Sequence, residues 1–247
     1  IFRLHTWVGY DVDGRGDIFW NNTFSKRLQV KIEQLKIYLS SILNLSKKAK
    51  NKLTEKKLLT LKKKLDLSIF LNEKILKSFS RIDFLENQEE FKKISNLMFK
   101  KKNDLITNSN LLIESIEEIV STEIKNKTLR SKIVDELILL KIEIENFGLG
   151  LGRTQVRLNA NQLNNSISKE IDLKGDPDDP SRKRTYLSEI SKLIENVKTV
   201  KINFGSILEE NMNARKYFMV IKQMLKYIDE HQSIRFLIAE CDFSLTV

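Results

Sequence analysis

Chain reversal is the scarcest operation open to this sequence: its 247 residues include only 8 glycines and 2 prolines, the residues that most tight turns require. Turn-dense all-β architectures, collagen-like repeats and Gly/Pro-rich linkers are therefore excluded, and a mainly helical chain is expected. With 41% hydrophobic and 31% charged residues it can bury a core, and its length suits one or two domains. The single cysteine, Cys241, rules out an internal disulfide and any multi-cysteine zinc or iron-sulfur centre. His5 and His231 stand too far apart in sequence to form a helical histidine pair, so metal binding would have to rest on carboxylates.

Lys and Arg number 43 against 33 Asp and Glu, a formal charge of +10 that points first to a polyanionic partner. The excess is mostly lysine, however, and it comes with heavy use of Ile, Asn, Leu and Ser, a pattern that AT-rich coding produces without selection for binding. The expectation is a solvated basic surface, with neither a nucleic-acid nor a membrane partner. No apolar run approaches the roughly 20 residues of a membrane span. The opening Ile1-Phe2-Arg3-Leu4 has no signal-peptide layout and no initiating Met, so a cytoplasmic setting and a start inside a longer protein are expected.

Along the chain, Phe2 to Tyr10 alternates and carries Trp7 and Val8, reading as a short buried strand that Asp11 to Asp17 breaks with turn chemistry. Thr23 is a plausible N-cap, after which Leu28, Ile32, Leu35, Leu39 and Ile42 recur at helical spacing. The same period continues to Phe147, with breaks expected near Leu65 to Ser68, Glu86 to Gln88, Lys102 to Asp104 and Asn126 to Thr128, implying several antiparallel helices. Three of the eight glycines then cluster at Gly148, Gly150 and Gly152, ahead of a strand-like alternation over Arg153 to Leu158. Asp176 to Pro180 reads as a loop, Tyr186 to Val200 and Ser206 to Ile228 as helical, and Ile234 to Ala239 as a last strand. Strands separated by long helical stretches predict βα units on a parallel sheet or barrel, with a helical insertion over 23–146 and further βα units over 147–247.

Four motifs bear on chemistry. Asp11-x-Asp13 with Gly14 superficially suggests a calcium loop, but Arg15 and Asn22 occupy the fifth and twelfth ligand places, so an EF-hand does not fit. A polar turn directly after a strand is instead where a parallel barrel collects its binding groups, which makes Asp11 and Asp13 a candidate site turn. The Gly148-x-Gly150-x-Gly152 run follows a helix and opens a strand, the reverse of a dinucleotide-binding loop, so its expected task is to end the helix and allow close backbone packing. Arg153 and Arg157, four apart on a strand, share one face. Two guanidinium groups there are costly unless they meet anions, either internal carboxylates or a phosphate or carboxylate ligand. Cys241 and His231 have no orienting third group, so Cys241 is expected to be a buried apolar residue rather than a nucleophile.

Taken together, the three strand segments resemble a known family. His5-Thr6-Trp7-Val8-Gly9-Tyr10-Asp11-Val12-Asp13-Gly14 resembles the Trp-Met-Gly-Gly-Asp-Arg-Asp-Gly segment of phosphoenolpyruvate carboxylases. Phe147 to Arg157 resembles that family's Phe-Gly-x-x-Leu-x-Arg-x-Asp-Ile-Arg strand, and Ile234 to Val247 resembles the strand that follows. Tyr10 stands where the family has glycine, Val12 where it has arginine, and Gln155 where it has aspartate, as in a divergent branch. The resemblance implies an internal fragment, 1–247, of one barrel domain: a mainly α chain with a few parallel strands, part of a TIM-type α/β barrel elaborated with many helices. It further implies an enzyme that carboxylates phosphoenolpyruvate with bicarbonate to oxaloacetate and phosphate, as a tetramer using Mg²⁺. Arg157 would face the substrate phosphate, with Arg153 supporting it, while the catalytic histidine and the Mg²⁺ ligands would lie outside this chain. The competing reading is a noncatalytic basic helical module that meets nucleic acid through Lys47-Lys48, Lys56-Lys57 and Lys62-Lys63-Lys64. Against it stand the arginine strand, the glycine turns and the scarcity of aromatics among those lysines.

Overall fold

Helical periodicity dominates the observed architecture as it dominates the sequence. The computed structural model describes residues 5–13, 19–79, 88–125, 132–150, 152–171 and 183–241. In chain order these form β1 (His5–Thr6), α1 (Trp20–Lys48), α2 (Lys52–Phe79), α3 (Gln88–Lys100), a 3-10 turn (Lys102–Asp104), α4 (Asn110–Lys125), α5 (Lys132–Phe147), β2 (Arg153–Asn159), α6 (Ala160–Ile171), α7 (Lys183–Glu195), α8 (Phe204–Glu209), α9 (Asn213–Tyr227) and β3 (Ile234–Ala239). They divide into two compact units. A helical unit comprises Asn21–Arg153 with Met224–Ser233, and a sheet unit comprises His5–Trp20, Thr154–Gln223 and Ile234–Val247.

In the helical unit, Phe24, Leu28, Ile32, Leu35, Ile42 and Leu45 bury one stripe of α1. Leu58, Leu61, Leu65, Ile69 and Ile75 do the same for α2, and Leu112, Ile116, Ile119, Leu137, Leu140 and Ile144 for α4 and α5. Phe24 stacks on Phe79 with ring centroids 4.8 Å apart. Thr23 is not an N-cap: α1 begins earlier, at Trp20, and Thr23 is buried inside it. The apolar stripe runs back through Phe24 to Trp20 at four-residue steps, so burial outweighs the capping preference of one threonine. Nor does the chain break at Leu65 to Ser68. Leu65 and Ser68 are buried in a continuous α2, Asp66 pairs with Lys62 one turn back at 3.1 Å, and Ser68 accepts from the Asn72 side chain. The expected break at Lys102 to Asp104 is present as the 3-10 turn, while 86–87 and 126–128 fall outside the described residues.

The glycine run performs the structural task its order predicts. Gly148 follows α5 at φ +56° and donates its N–H to the Ile144 carbonyl at 2.8 Å, closing the helix in the left-handed conformation. Gly150 is required for a different reason, since a Cβ there would collide with the Arg27 guanidinium.

The sheet unit carries β1, β2 and β3 in that order, with β2 and β3 parallel and in register from Thr154 opposite Ile234 to Asn159 opposite Ala239. Thr154, Val156 and Leu158 bury one face of β2, leaving Arg153, Gln155, Arg157 and Asn159 on the half-exposed other face. The expected strand over Phe2 to Tyr10 ends at Thr6, earlier than its alternation suggests, and its first residues, 2–4, lie outside the described residues. Beyond β1 the chain turns at Trp7 to Tyr10, with Gly9 at φ +84° and the Tyr10 N–H bonded to the Trp7 carbonyl, which leaves Trp7 and Val8 exposed. Pairing resumes at Asp11, which bridges to Arg157 in parallel. The helical tract expected from Ser206 to Ile228 holds two helices, α8 and α9, and α7 ends at Glu195 rather than Val200. The molecule is thus mainly helical with a small three-stranded parallel sheet, and no closed barrel forms among the described residues. No described helix is long and apolar enough to cross a membrane.

Candidate functional site

The carboxyl ends of parallel strands are where α/β sheets gather their binding groups, and the sheet unit places polar side chains there. The Asp11–Arg157 bridge is held by two main-chain bonds of 3.1 Å, from the Val12 N–H to the Arg157 carbonyl and from the Arg157 N–H to the Tyr10 carbonyl. This register sets the two side chains opposite each other, with Arg157 Nη1 at 3.6 Å from Asp11 Oδ2. One step further along β2, the Asn159 amide donates to Asp13 Oδ1 at 3.4 Å and to Glu240 Oε2. Glu240 follows β3 directly and sits at φ +57°, a left-handed conformation unusual for glutamate. The Asn159 side chain also accepts the Asn161 N–H at 2.8 Å, so the same residue opens α6 and spans two strand ends. Gln162 extends the ring, its amide reaching the Val12 carbonyl at 3.5 Å.

Of the four residues singled out from sequence, Asp11, Asp13 and Arg157 belong to this cluster and Arg153 does not. Arg153 opens β2 on the same face, but four residues at about 3.3 Å each put it some 13 Å away along the strand. Of the two anions that could meet Arg157, the structure shows the internal carboxylate, Asp11. The cluster carries Asp11, Asp13 and Glu240 against one guanidinium, so its field is acidic, and a phosphate at Arg157 must compete with a carboxylate already there. Among the described residues no three His, Cys, Asp or Glu side chains converge as a metal site, because the Asn159 amide lies between Asp13 and Glu240. The Mg²⁺ implied by the family resemblance is therefore not accommodated by the described residues. Asn159, Gln162 and Glu240 were not singled out from sequence. Asn159 had a legible signal, a capping residue at the junction of an alternating strand and a helix.

A second polar cluster lies in the interior of the helical unit. Arg27 and Asp229 form a buried ion pair at 2.5 Å, and the other Asp229 oxygen accepts the His231 N–H at 3.2 Å. One turn along α1, the wholly buried Lys31 donates to the Leu105 carbonyl at 2.7 Å. Burial pushes the Lys31 ammonium down to about 7, against the attraction of Asp229 and with added repulsion from Arg27. Tyr38, a further two turns on, donates to the Gly148 carbonyl at 2.7 Å, and burial raises its phenol well above the usual range. Thr54 and the buried Glu123 make a third interior contact at 2.7 Å. Cys241, expected to be buried, is exposed just past β3. His231 is exposed too.

Comparison with known proteins gives no match: no family model fits the chain, and no curated protein or solved structure is significantly similar to it.

Proposed function

We propose that the chain is a piece of a phosphoenolpyruvate carboxylase-type enzyme, contributing strands and substrate-binding groups to an α/β barrel completed by other parts of the protein. The observation that supports this is the strand order. The three segments that carry the resemblance are remote in sequence, yet β2 lies between β1 and β3, and near the strands' carboxyl ends Asp11 meets Arg157 while Asp13 and Glu240 meet Asn159.

In this reading Arg157 holds the phosphate of phosphoenolpyruvate. Its planar fork suits a phosphoryl group, and Asp11 keeps the guanidinium oriented until substrate displaces the carboxylate. Asp13 and Glu240, bound through Asn159, fix the strand ends around that position, and Arg153 supports the strand at its start. Bicarbonate is the second substrate, oxaloacetate and phosphate are the products, and the complete enzyme is a cytoplasmic tetramer. Mg²⁺ would stabilise enolate charge in the complete enzyme. The test is ligand binding to the 247-residue chain. Phosphoenolpyruvate should shift the backbone NMR signals of Tyr10, Asp11 and Val12 beside Arg157 at millimolar concentration, and Arg157→Ala should abolish the effect. No shift, or a shift that survives Arg157→Ala, overturns the assignment.

A second reading, a basic helical interaction module, is favoured by one observation: Lys47 to Lys64 holds nine lysines against the single Glu55. That stretch carries +8 of the chain's +10.

A further inference from the structure

The charge concentration falls on the α1–α2 hairpin, and the structure shows which side of it faces solvent. At 100° per residue, Lys52, Lys56, Lys63, Leu67, Phe70 and Lys74 project from α2 within about 40° of one direction, over a length of roughly 33 Å. All six are exposed, Phe70 at 63% and Leu67 at 44%. The acidic residues of α2, Glu55, Asp66 and Glu73, flank that sector on one side, about 70–90° from its axis, and Asp66 and Glu73 are paired with Lys62 and Lys36. Lys52, Lys56, Lys63 and Lys74 form no ion pair among the described residues. The opposite side of α2 is committed to the core through Leu58, Leu61, Leu65 and Ile75, so the helix is fixed and its outer face is a rigid row of lysines interrupted by leucine and phenylalanine.

We propose that this outer face of α2 is a docking surface for an anionic lipid bilayer. The argument is complementarity of two kinds. Lysines at an anionic leaflet are attracted to its headgroups, each favouring adsorption about fivefold, and long lysine stems let the ammonium reach phosphate while the apolar neighbours enter the headgroup boundary. Nucleic acid satisfies only the first kind: it has nothing for Leu67 and, with Phe70 alone, no stacking series, and no arginine occurs between Arg27 and Arg81 to read phosphate or base edges bidentately. A second copy of the chain is opposed by like charge. Adsorption of this sort requires no spanning helix, and it is independent of the enzymatic reading because it involves only the helical unit.

The experiment is vesicle flotation of the full chain. Phosphatidylcholine vesicles with about one-third phosphatidylserine should bind it and pure phosphatidylcholine should not, and raising salt from about 0.1 M to about 0.5 M should release it. Lys56→Gln/Lys63→Gln/Lys74→Gln should weaken binding about a hundredfold, at the fivefold per lysine above. Leu67→Ser/Phe70→Ser should weaken it at least severalfold. Lys92→Gln/Lys93→Gln/Lys100→Gln, which removes the same charge from exposed positions of α3, should leave it within about twofold. Because every substituted side chain is exposed, unchanged circular dichroism should accompany all three variants. Absence of binding to the anionic vesicles overturns the proposal, and so does an equal loss in the α3 variant, which would reduce the effect to net charge. Full binding by Leu67→Ser/Phe70→Ser, with tighter binding to double-stranded RNA than to vesicles, assigns the face to nucleic acid and also overturns it.

Discussion

Lys31 offers a quantitative handle on the interior of the helical unit. Its ammonium is held at about 7 in the folded chain, whereas an unfolded chain protonates near 10.5. Between those values the unfolded state binds a proton that the folded state lacks, so stability must rise with pH across the window, by about 1.4 kcal/mol per pH unit. Above 10.5 both states are neutral at this position and no penalty remains, whereas below about 7 folding buries a charge. The full difference is about 5 kcal/mol, a ceiling because any opening that admits water relieves part of it.

Replacing Lys31 by Met keeps the volume and removes the charge. Asp229 stays paired with Arg27, so no carboxylate is orphaned, and the loss is the hydrogen bond to Leu105, worth about 1 kcal/mol. The Leu105 carbonyl keeps a longer contact, 3.5 Å from the Asn72 amide. Lys31→Met should therefore be more stable than the parent by about 3 kcal/mol at pH about 6 and close to neutral at pH about 10. Urea unfolding followed by far-UV circular dichroism measures this directly, and the helical unit dominates that signal. A stability difference that does not change with pH would refute the reasoning. So would a Lys31→Met variant weakened at pH about 6, which would mean that the charged amine is held by Asp229 as part of the ion pair.

The two glycines at the end of α5 should separate backbone strain from steric conflict. Gly148→Ala has open space around the new Cβ and should cost only the left-handed conformation, about 1–2 kcal/mol in thermal or urea unfolding. Gly150→Ala drives a methyl into the Arg27 guanidinium and should cost about 3–5 kcal/mol, the loss expected when a buried ion pair is broken, with Arg27→Met giving a similar value. In a complete enzyme containing this chain, Arg157→Ala and Arg157→Lys should each lower kcat/KM about a hundredfold, and Arg153→Lys much less, because lysine keeps charge but loses the paired donors; near wild-type turnover for Arg157→Ala would leave Arg157 as the structural partner of Asp11. The 247-residue chain alone should show only background oxaloacetate formation in a coupled assay, and clear turnover would mean that the missing residues were wrongly assigned.

Period and order were legible in the sequence where one physical signal dominated. The apolar stripe of α1 and α2 and the alternation of β2 appear where the spacing places them, because burial of a continuous face has no competitor there, and the run Ile234 to Ala239 forms β3 although none of its residues is fully buried. The misreadings have local causes. Leu65 to Ser68 looked like a break because Asp and Ser are poor helix formers, but Asp66 is answered one turn back by Lys62 and Ser68 one turn on by Asn72. Trp7 and Val8 looked buried because alternation cannot register a glycine at positive φ two residues later. Arg153 and Arg157 share a face as period two requires, yet period two says nothing of distance or of Asp11, which reaches Arg157 only through pairing across 146 residues of sequence.

The interior cluster shows why the same reasoning misses a buried charge altogether. Arg27, Lys31, Gln34 and Tyr38 recur at intervals of four, three and four, the spacing of the buried stripe they interrupt, and all four are buried. A scan for apolar residues treats such positions as noise in the stripe, and a scan for charge treats them as surface. Only the partners decide between these, and the partners come from elsewhere in the chain: Asp229 beyond α9, the Leu105 carbonyl after the 3-10 turn, and Gly148 beyond α5. A cation on a core-facing position of a long helix is thus a sequence-level prediction that some distant loop must turn a carbonyl or carboxylate inward. Here Ile106, held at φ +44° immediately after the carbonyl that Lys31 binds, is where the backbone accommodates that demand.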